Sequence, residues 1–320
     1  MNWTASSGVA AARQRATMLE RARSFFRSRA VLEVDTPALS RCTTTDPNIE
    51  SLRVAGPRGA TLYLQTSPES FMKRLLADGY PDIYAICRVF RDGESGRLHQ
   101  PEFTMVEWYR HGLGLDEMIG ETVAFIAHVL RQPALAEADT LEYETAFGRF
   151  AGIEPFSASL DELADAAGAD TDLRESIGAD RDAWLDLLLS TRVAPNFADR
   201  QLTVLRHFPV SQAALARTCP ADDRLADRFE VFHGGMELAN GFVELRDADE
   251  QRRRMQADLA SRRAAARRPV PLDEPLLAAL ESGFPACAGV AVGFERLLML
   301  ATGAGDIRDV ITFAFDDGRD

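Results

Sequence analysis

Lysine is nearly missing from these 320 residues: Lys73 is the only one among 36 basic side chains, so arginine carries almost all the positive charge. Codon bias accounts for that imbalance, and no function is read from it. Cysteine is sparse too. Cys42, Cys87, Cys219 and Cys287 lie far apart with no Cys-x-x-Cys pair, which points to thiols kept reduced rather than to a disulfide framework. No uncharged apolar run approaches the ~20 residues that cross a bilayer. The first 25 residues carry Arg13, Arg15, Glu20, Arg21 and Arg23 in place of a signal peptide's apolar core. A cytoplasmic chain with no membrane contact is expected. Basic charge is also in deficit, with 49 acidic residues and a net charge of −13. That argues against a broad nucleic-acid binder, which needs a basic face to release counterions, and leaves room for a local basic site.

What is present is ordinary globular material, 46% hydrophobic and 27% charged. A chain of this length buries enough surface to fold without disulfide or metal. Residues 9–30 read as an amphipathic helix with Met18, Leu19, Ala22, Phe25 and Phe26 on one stripe. An extended segment around Val31–Asp35 stops at Pro37, since the residue before a proline avoids helix. Strands are expected at 61–66, 83–91, 103–109, 202–206, 228–232 and about 235–246. Helices are expected at 67–79, 116–131, an acidic stretch 160–190 broken by Gly168 and Gly178, and an Arg-rich 248–267. The chain closes on a glycine-punctuated strand and helix, 289–303. Helices on a largely antiparallel sheet make the class α+β. With no repeat or low-complexity linker, one domain over 1–320 is expected, with a helical insertion at about 156–200.

The densest segment runs from Arg91 to Tyr109. A loop with Gly93, Gly96 and Pro101 between two strands predicts a hairpin. Alternation then puts Phe103, Met105, Glu107 and Tyr109 on one face. A carboxylate among aromatics needs a cationic or hydrogen-bonded partner, and a bound amine would serve. Arg91, Arg97 and His99 could hold a triphosphate; a solvated hairpin with an ion pair is the other reading. Glu230, Glu237 and Glu244 follow at seven-residue spacing, interrupted by His233-Gly234 and Asn240-Gly241. Two-residue turns at those dipeptides would set Glu230 opposite Glu237 and Glu237 opposite Glu244. Facing carboxylates call for a divalent cation between them, unless one or more faces solvent. In GVAVGFERLLML, Gly289 and Gly293 permit close approach, and Arg296 in the first helical turn makes an anion site, although any strand and helix could carry such glycines. Thr66-Ser67-Pro68-Glu69 reads by itself as a helix start.

Taken in order, these segments resemble the catalytic domain of class II aminoacyl-tRNA synthetases of the lysyl type, over about residues 10–317. VLEVDTPALS is similar to motif 1, FRDGESGRLHQPEFTMVEWY to motif 2 and GVAVGFERL to motif 3, while TSPES and MELANGFVEL match lysyl-type pocket segments. Lysyl-tRNA synthetases carry an N-terminal barrel that reads the anticodon, and here the motif 1 helix starts almost at Met1. A core without that barrel resembles the elongation factor P β-lysine ligases, which join a lysine-like amino acid to a protein lysine. Ala291, where lysyl synthetases have glycine, favours that branch.

The resemblance implies ATP and Mg²⁺, a β-lysine or lysine donor, elongation factor P as acceptor, a homodimer built on motif 1, and little use for tRNA. It implies that Arg91 and Arg296 are catalytic. The ATP site would comprise Arg91, Asp92, Gly93, Glu94, His99, Gln100, Phe103, Glu237, Leu238, Gly293 and Arg296. Glu230 and Glu237 would hold the metal. Ser67, Pro68, Glu69, Glu107, Tyr109, Asn240, Glu244 and Ala291 would line the amino-acid pocket. Gly93 and Gln100 depart from the usual Glu and Asn. Two further functions were weighed: a truncated synthetase charging tRNA or a tRNA-like RNA, and a non-catalytic amino-acid or ATP-binding regulator. Arg252–Arg254 and Arg262–Arg268 would be either a docking face or a solvated helix face.

Overall fold

The computed structural model describes residues 3–315; the ends of the expected 1–320 domain lie outside the described residues. In chain order the elements begin with α1 (Val9–Arg27), β1 (Leu32–Glu33), β2 (Leu39–Ser40), β3 (Arg53–Ala55), β4 (Thr61–Leu64), α2 (Glu69–Ala77), β5 (Ile83–Phe90) and β6 (Glu102–His111). Then come α3 (Leu115–Leu130), β7 (Asp139–Glu142), α4 (Tyr143–Phe150), α5 (Leu160–Ala167), α6 (Thr171–Ile177) and α7 (Arg181–Leu188). The chain continues through β8 (Leu202–Pro209), β9 (Leu225–His233), β10 (Met236–Val243), α8 (Ala248–Ala264), α9 (Glu274–Glu281), β11 (Cys287–Gly293) and α10 (Phe294–Thr302). The contacts divide these elements into two compact units. No described helix is long and apolar enough to cross a membrane.

The first unit holds residues up to 113, 128–131 and those from 244 onward. Its strands run in the order β1-β5-β6-β11. β5 and β6 form an antiparallel hairpin, β6 pairs antiparallel with β11, and only the β1–β5 edge is parallel. Strand alternation sorts the side chains onto two faces. On one, α1 lays Phe26 against Tyr84, ring centroids 4.1 Å apart, and against the edge of Trp108. The stripe that does so, Met18, Ala22, Phe25 and Phe26, is fully buried at helical spacing. On the other face, Met72 and Leu76 of α2 and Leu280 of α9 close over Ile83, Ala85, Tyr109 and Cys287. A second small sheet runs β2-β4-β3.

The second unit holds 114–127 and 132–243. Its strands run β10-β9-β8-β7, antiparallel except for the parallel β7–β8 pair. Helices α4 to α7 contribute Phe147, Leu163, Trp184 and Leu188 to a core shared with Phe208 and Phe232. The acidic stretch is helical and glycine-broken as its sequence predicts. Ser159, Asp170 and Asp180 cap α5, α6 and α7, and Gly168 and Gly178 end the first two at positive φ.

The β9–β10 hairpin corrects the expected register. One turn exists, at Gly234-Gly235, because Met236 pairs with His233, and Gly234 supplies the positive φ. Asn240-Gly241 makes no turn: neither residue has the positive φ that a tight hairpin turn requires, and β10 runs straight through. Glu230 therefore faces Asn240, Glu237 faces Phe232, and Glu244 lies beyond the end of β10. The turn, one residue later than expected, shifts the pairing by two, and a one-residue bulge at Leu238 adds a third. The bulge brings Glu237 and Asn240, three apart in sequence, onto the face shared by Glu230 and Arg228.

Candidate active site

In the first unit, β6 and β11 build a buried, acid-rich pocket. Glu107 and Tyr109 are two apart on β6, and the Tyr109 hydroxyl donates to Glu107 Oε1 at 2.8 Å. Glu107 and Glu244 are 3% and 1% exposed. Across the ladder Glu107 pairs with Ala291 and Tyr109 with Gly289, so these four share one face. Glu69, the first residue of α2, joins them electrostatically: its charge raises the pKa of Glu107, after burial itself. Burial also pushes Glu244 up to about 8, against the pull of Lys73, and drives the Tyr109 hydroxyl upward. Glu244 Oε1 is buried and accepts no hydrogen bond from the described residues. Three carboxylates with an unfilled acceptor are a receptor for a cation.

One member of this cluster was not read from the sequence: Lys73 Nζ lies 2.6 Å from Glu69 Oε1 and 2.5 Å from Glu244 Oε2. Gly289, which the sequence reads as permitting close approach, borders the same cluster. A Cβ there would collide with the Tyr109 ring and come within 2.5 Å of Glu244 Oε1. Ser67 lies at the entry to α2, where its hydroxyl accepts a long 3.4 Å bond from the Glu69 amide, and Pro68 sits at the N-cap.

The β5–β6 loop of the same unit gathers cations and a ring. The Arg91 guanidinium lies 5.2 Å from the centre of the Phe103 ring and 3.6 Å from Glu94. Arg91 Nε is buried and donates to no described group. Gly293 caps α10, and Arg296 in its first turn reaches back to His99, Nη2 to Nε2 2.9 Å. An unsatisfied guanidinium beside an aromatic face, with Arg296 and His99 close together, suits a nucleoside polyphosphate. Asp92 and Gly93 are exposed on the turn. Gly93 has φ +79°, a conformation that glycine adopts without strain. Gln100 is buried and accepts from the Phe315 amide at 2.7 Å. Arg97, a candidate phosphate ligand, is exposed and donates to the Gly305 carbonyl at 3.2 Å. Glu295, unnoticed in the sequence, ties α1 to β6 by accepting from Arg15 and the Thr104 amide, both at 2.8 Å.

In the second unit, Arg228 Nη2 holds Glu230 at 2.5 Å and its Nε donates to Asn240 Oδ1 at 3.1 Å. Glu230 is pushed up to about 7, chiefly by burial and also by the charge of Glu237. Two neighbouring carboxylates and an amide oxygen are hard oxygen donors, and a guanidinium already sits at Glu230 and Asn240 as a stand-in cation. The donor set fits Mg²⁺. Leu238 is the buried bulge residue between Glu237 and Ala239. The Arg-rich segment is less free than its sequence suggests. Arg252 pairs with Glu274, Arg253 and Arg254 with Glu250, and Arg262 is 1% exposed against Glu50 and the Asp46 carbonyl.

A sheet with an acid-lined amine pocket, a motif 2 hairpin and an arginine in the first turn of the closing helix defines a class of enzyme. Residues 3–317 match the family described as tRNA synthetases class II (D, K and N), and the chain belongs to it. Within that family it is 45% identical over 322 residues to the elongation factor P--(R)-beta-lysine ligase of Edwardsiella ictaluri (strain 93-146), with 98% of each chain covered. The enzymes of the same name from Sodalis glossinidius (strain morsitans) and Photorhabdus laumondii are 44% and 45% identical, with 98% of this chain and 98% and 97% of theirs covered.

Proposed function

We propose that this chain is an ATP-dependent, AMP-forming ligase that activates (R)-β-lysine, or lysine, and transfers it to a lysine side chain of translation elongation factor P. The observation that carries the reading is the buried carboxylate pocket with its open acceptor on Glu244, which asks for an ammonium-bearing substrate. Glu69, Tyr109 and Glu244 hold the donor's amino groups. Ser67, Pro68, Glu107 and Ala291 line the pocket, while Asn240 accepts from Arg228 beside Glu230. Arg91 binds the α-phosphate and the donor carboxylate, while Phe103 stacks the adenine. His99 and Arg296 take the distal phosphates. Asp92, Gly93, Glu94, Gln100 and Gly293 complete the nucleotide contacts of the first unit. Glu230 and Glu237 hold Mg²⁺, which supplies positive charge to the phosphates when bound.

Two displacements follow. The donor carboxylate oxygen attacks the α-phosphorus, and pyrophosphate leaves. The acceptor ε-amine then attacks the acyl carbon, AMP leaves, and an amide forms. No side chain has to act as a nucleophile: Arg91 and Arg296 neutralise developing phosphate charge while the pocket fixes the carboxylate in line. The motif 1 segment also leads us to propose a homodimer, checked by light scattering against the 35.2 kDa chain. The deciding experiment offers labelled donor and ATP to elongation factor P and bulk tRNA side by side. Label should appear on elongation factor P and leave tRNA essentially unlabelled. Efficient tRNA charging with unlabelled protein would overturn the acceptor.

A further inference from the structure

The amine pocket carries a cation of its own. Lys73 stands one helical turn after Glu69 on α2, is 2% exposed, and bridges Glu69 and Glu244 at 2.6 and 2.5 Å. An ammonium buried that deeply is tolerable only between counter-charges, and the reverse holds for the carboxylates. With every group ionised, Glu69, Glu107 and Glu244 carry three negative charges and Lys73 one positive, a surplus of two. A donor with two ammonium groups cancels that surplus. A donor of the same length with one ammonium leaves a buried carboxylate uncompensated. Lys73 reaches Oε2 of Glu244, and it is Oε1 that stays open.

We propose that Lys73 is a positioning residue: by bridging Glu69 and Glu244 it holds both carboxylates in place around the open Glu244 Oε1, so that the site is completed by a diammonium donor. The inference rests on the ligase reading and deepens it: the substrate class is set by a charge count, not by length alone. Its pH dependence has a definite sign. Burial raises the Glu244 pKa and Lys73 lowers it, so removing Lys73 sends it higher. The carboxylate then gives up its proton to the donor's ammonium less readily than in the wild type, and does so only at higher pH.

The test is Lys73→Met in the full chain, assayed by donor-dependent pyrophosphate exchange from about pH 6 to about pH 9. The donor KM should rise about tenfold or more near neutrality, with kcat and the ATP KM within about twofold. The gap should close as the pH rises and the carboxylates ionise unaided. A rise independent of pH, or a fall in kcat alone, overturns the proposal. Should the single variant fail to fold, Lys73→Met with Glu69→Gln removes one charge of each sign and leaves two carboxylates. Where both fold, the double variant should show the lower donor KM at neutral pH; where it is at least as impaired as the single, Lys73 is merely structural. Calorimetry with β-lysine, lysine and norleucine separates the two readings. A wild type that binds the diamines without exchanging pyrophosphate defeats the ligase reading alone, and one that binds norleucine equally well defeats the charge count.

Discussion

At the scale of single residues, the face shared by β6 and β11 makes two sharp predictions. Ala291 stands directly opposite Glu107, so its methyl lies on the face that carries Glu107 and Tyr109. An α-amino acid carries its amino group at the carbon that, in the proposed function, this methyl would crowd, and a β-amino acid carries it one carbon further on. Ala291→Gly should raise kcat/KM for α-lysine relative to β-lysine by roughly tenfold, since a methylene-sized change is worth about 1–3 kcal/mol. An unchanged ratio removes Ala291 as a selector. Gly289→Ala should act in the opposite sense, because its Cβ has no room beside Tyr109 and Glu244. Overpacking of this kind costs about 1–3 kcal/mol. Donor-dependent exchange should fall by about tenfold or more while ATP binding persists, and full activity would show that the Tyr109 ring can move aside.

Among the elements, the β9–β10 hairpin shows where local reading stops. The positions of the longer strands were legible from alternation and turn residues, as were the helices of the acidic stretch from their caps and glycines. The register was not, because Asn240-Gly241 is as good a turn dipeptide as Gly234-Gly235. Choosing between them depends on pairing along the whole strand, and a bulge at Leu238 cannot be seen in the spacing of three glutamates. The seven-residue period thus implied facing pairs that the register does not make. Glu230 and Glu237 remain neighbours through the bulge, whereas Glu244 belongs with Lys73. Glu237→Ala should abolish donor-dependent pyrophosphate exchange with the circular dichroism spectrum unchanged, and EDTA should do the same to the wild type. Exchange at the full rate in the variant would take Glu237 out of the metal site.

For the molecule as a whole, charge and lysine usage bear on the acceptor. A chain at −13 repels a polyanion at long range. It also offers its activated donor no accessible lysine, because the single one is buried and doubly ion-paired. Incubation with ATP and donor but no acceptor should leave Lys73 unmodified in a peptide mass map, and acylation there would mean that the pocket opens to its own adenylate. The sequence by itself determined the α+β class, the larger elements though not β3, β7, α4 or α9, the family, and the residue types of each motif. Hydrophobic period, caps and motif spacing are local properties, and ordered motifs are too specific to coincide by accident. Only the tertiary structure decided that Lys73 sits among Glu69, Glu107 and Glu244, that Gly289 must lack a side chain, and that Arg97 and Arg262 donate to backbone carbonyls. Those are contacts between segments up to some two hundred residues apart. The partner of a buried charge is fixed by which elements pack together, and that is written in no single stretch of chain.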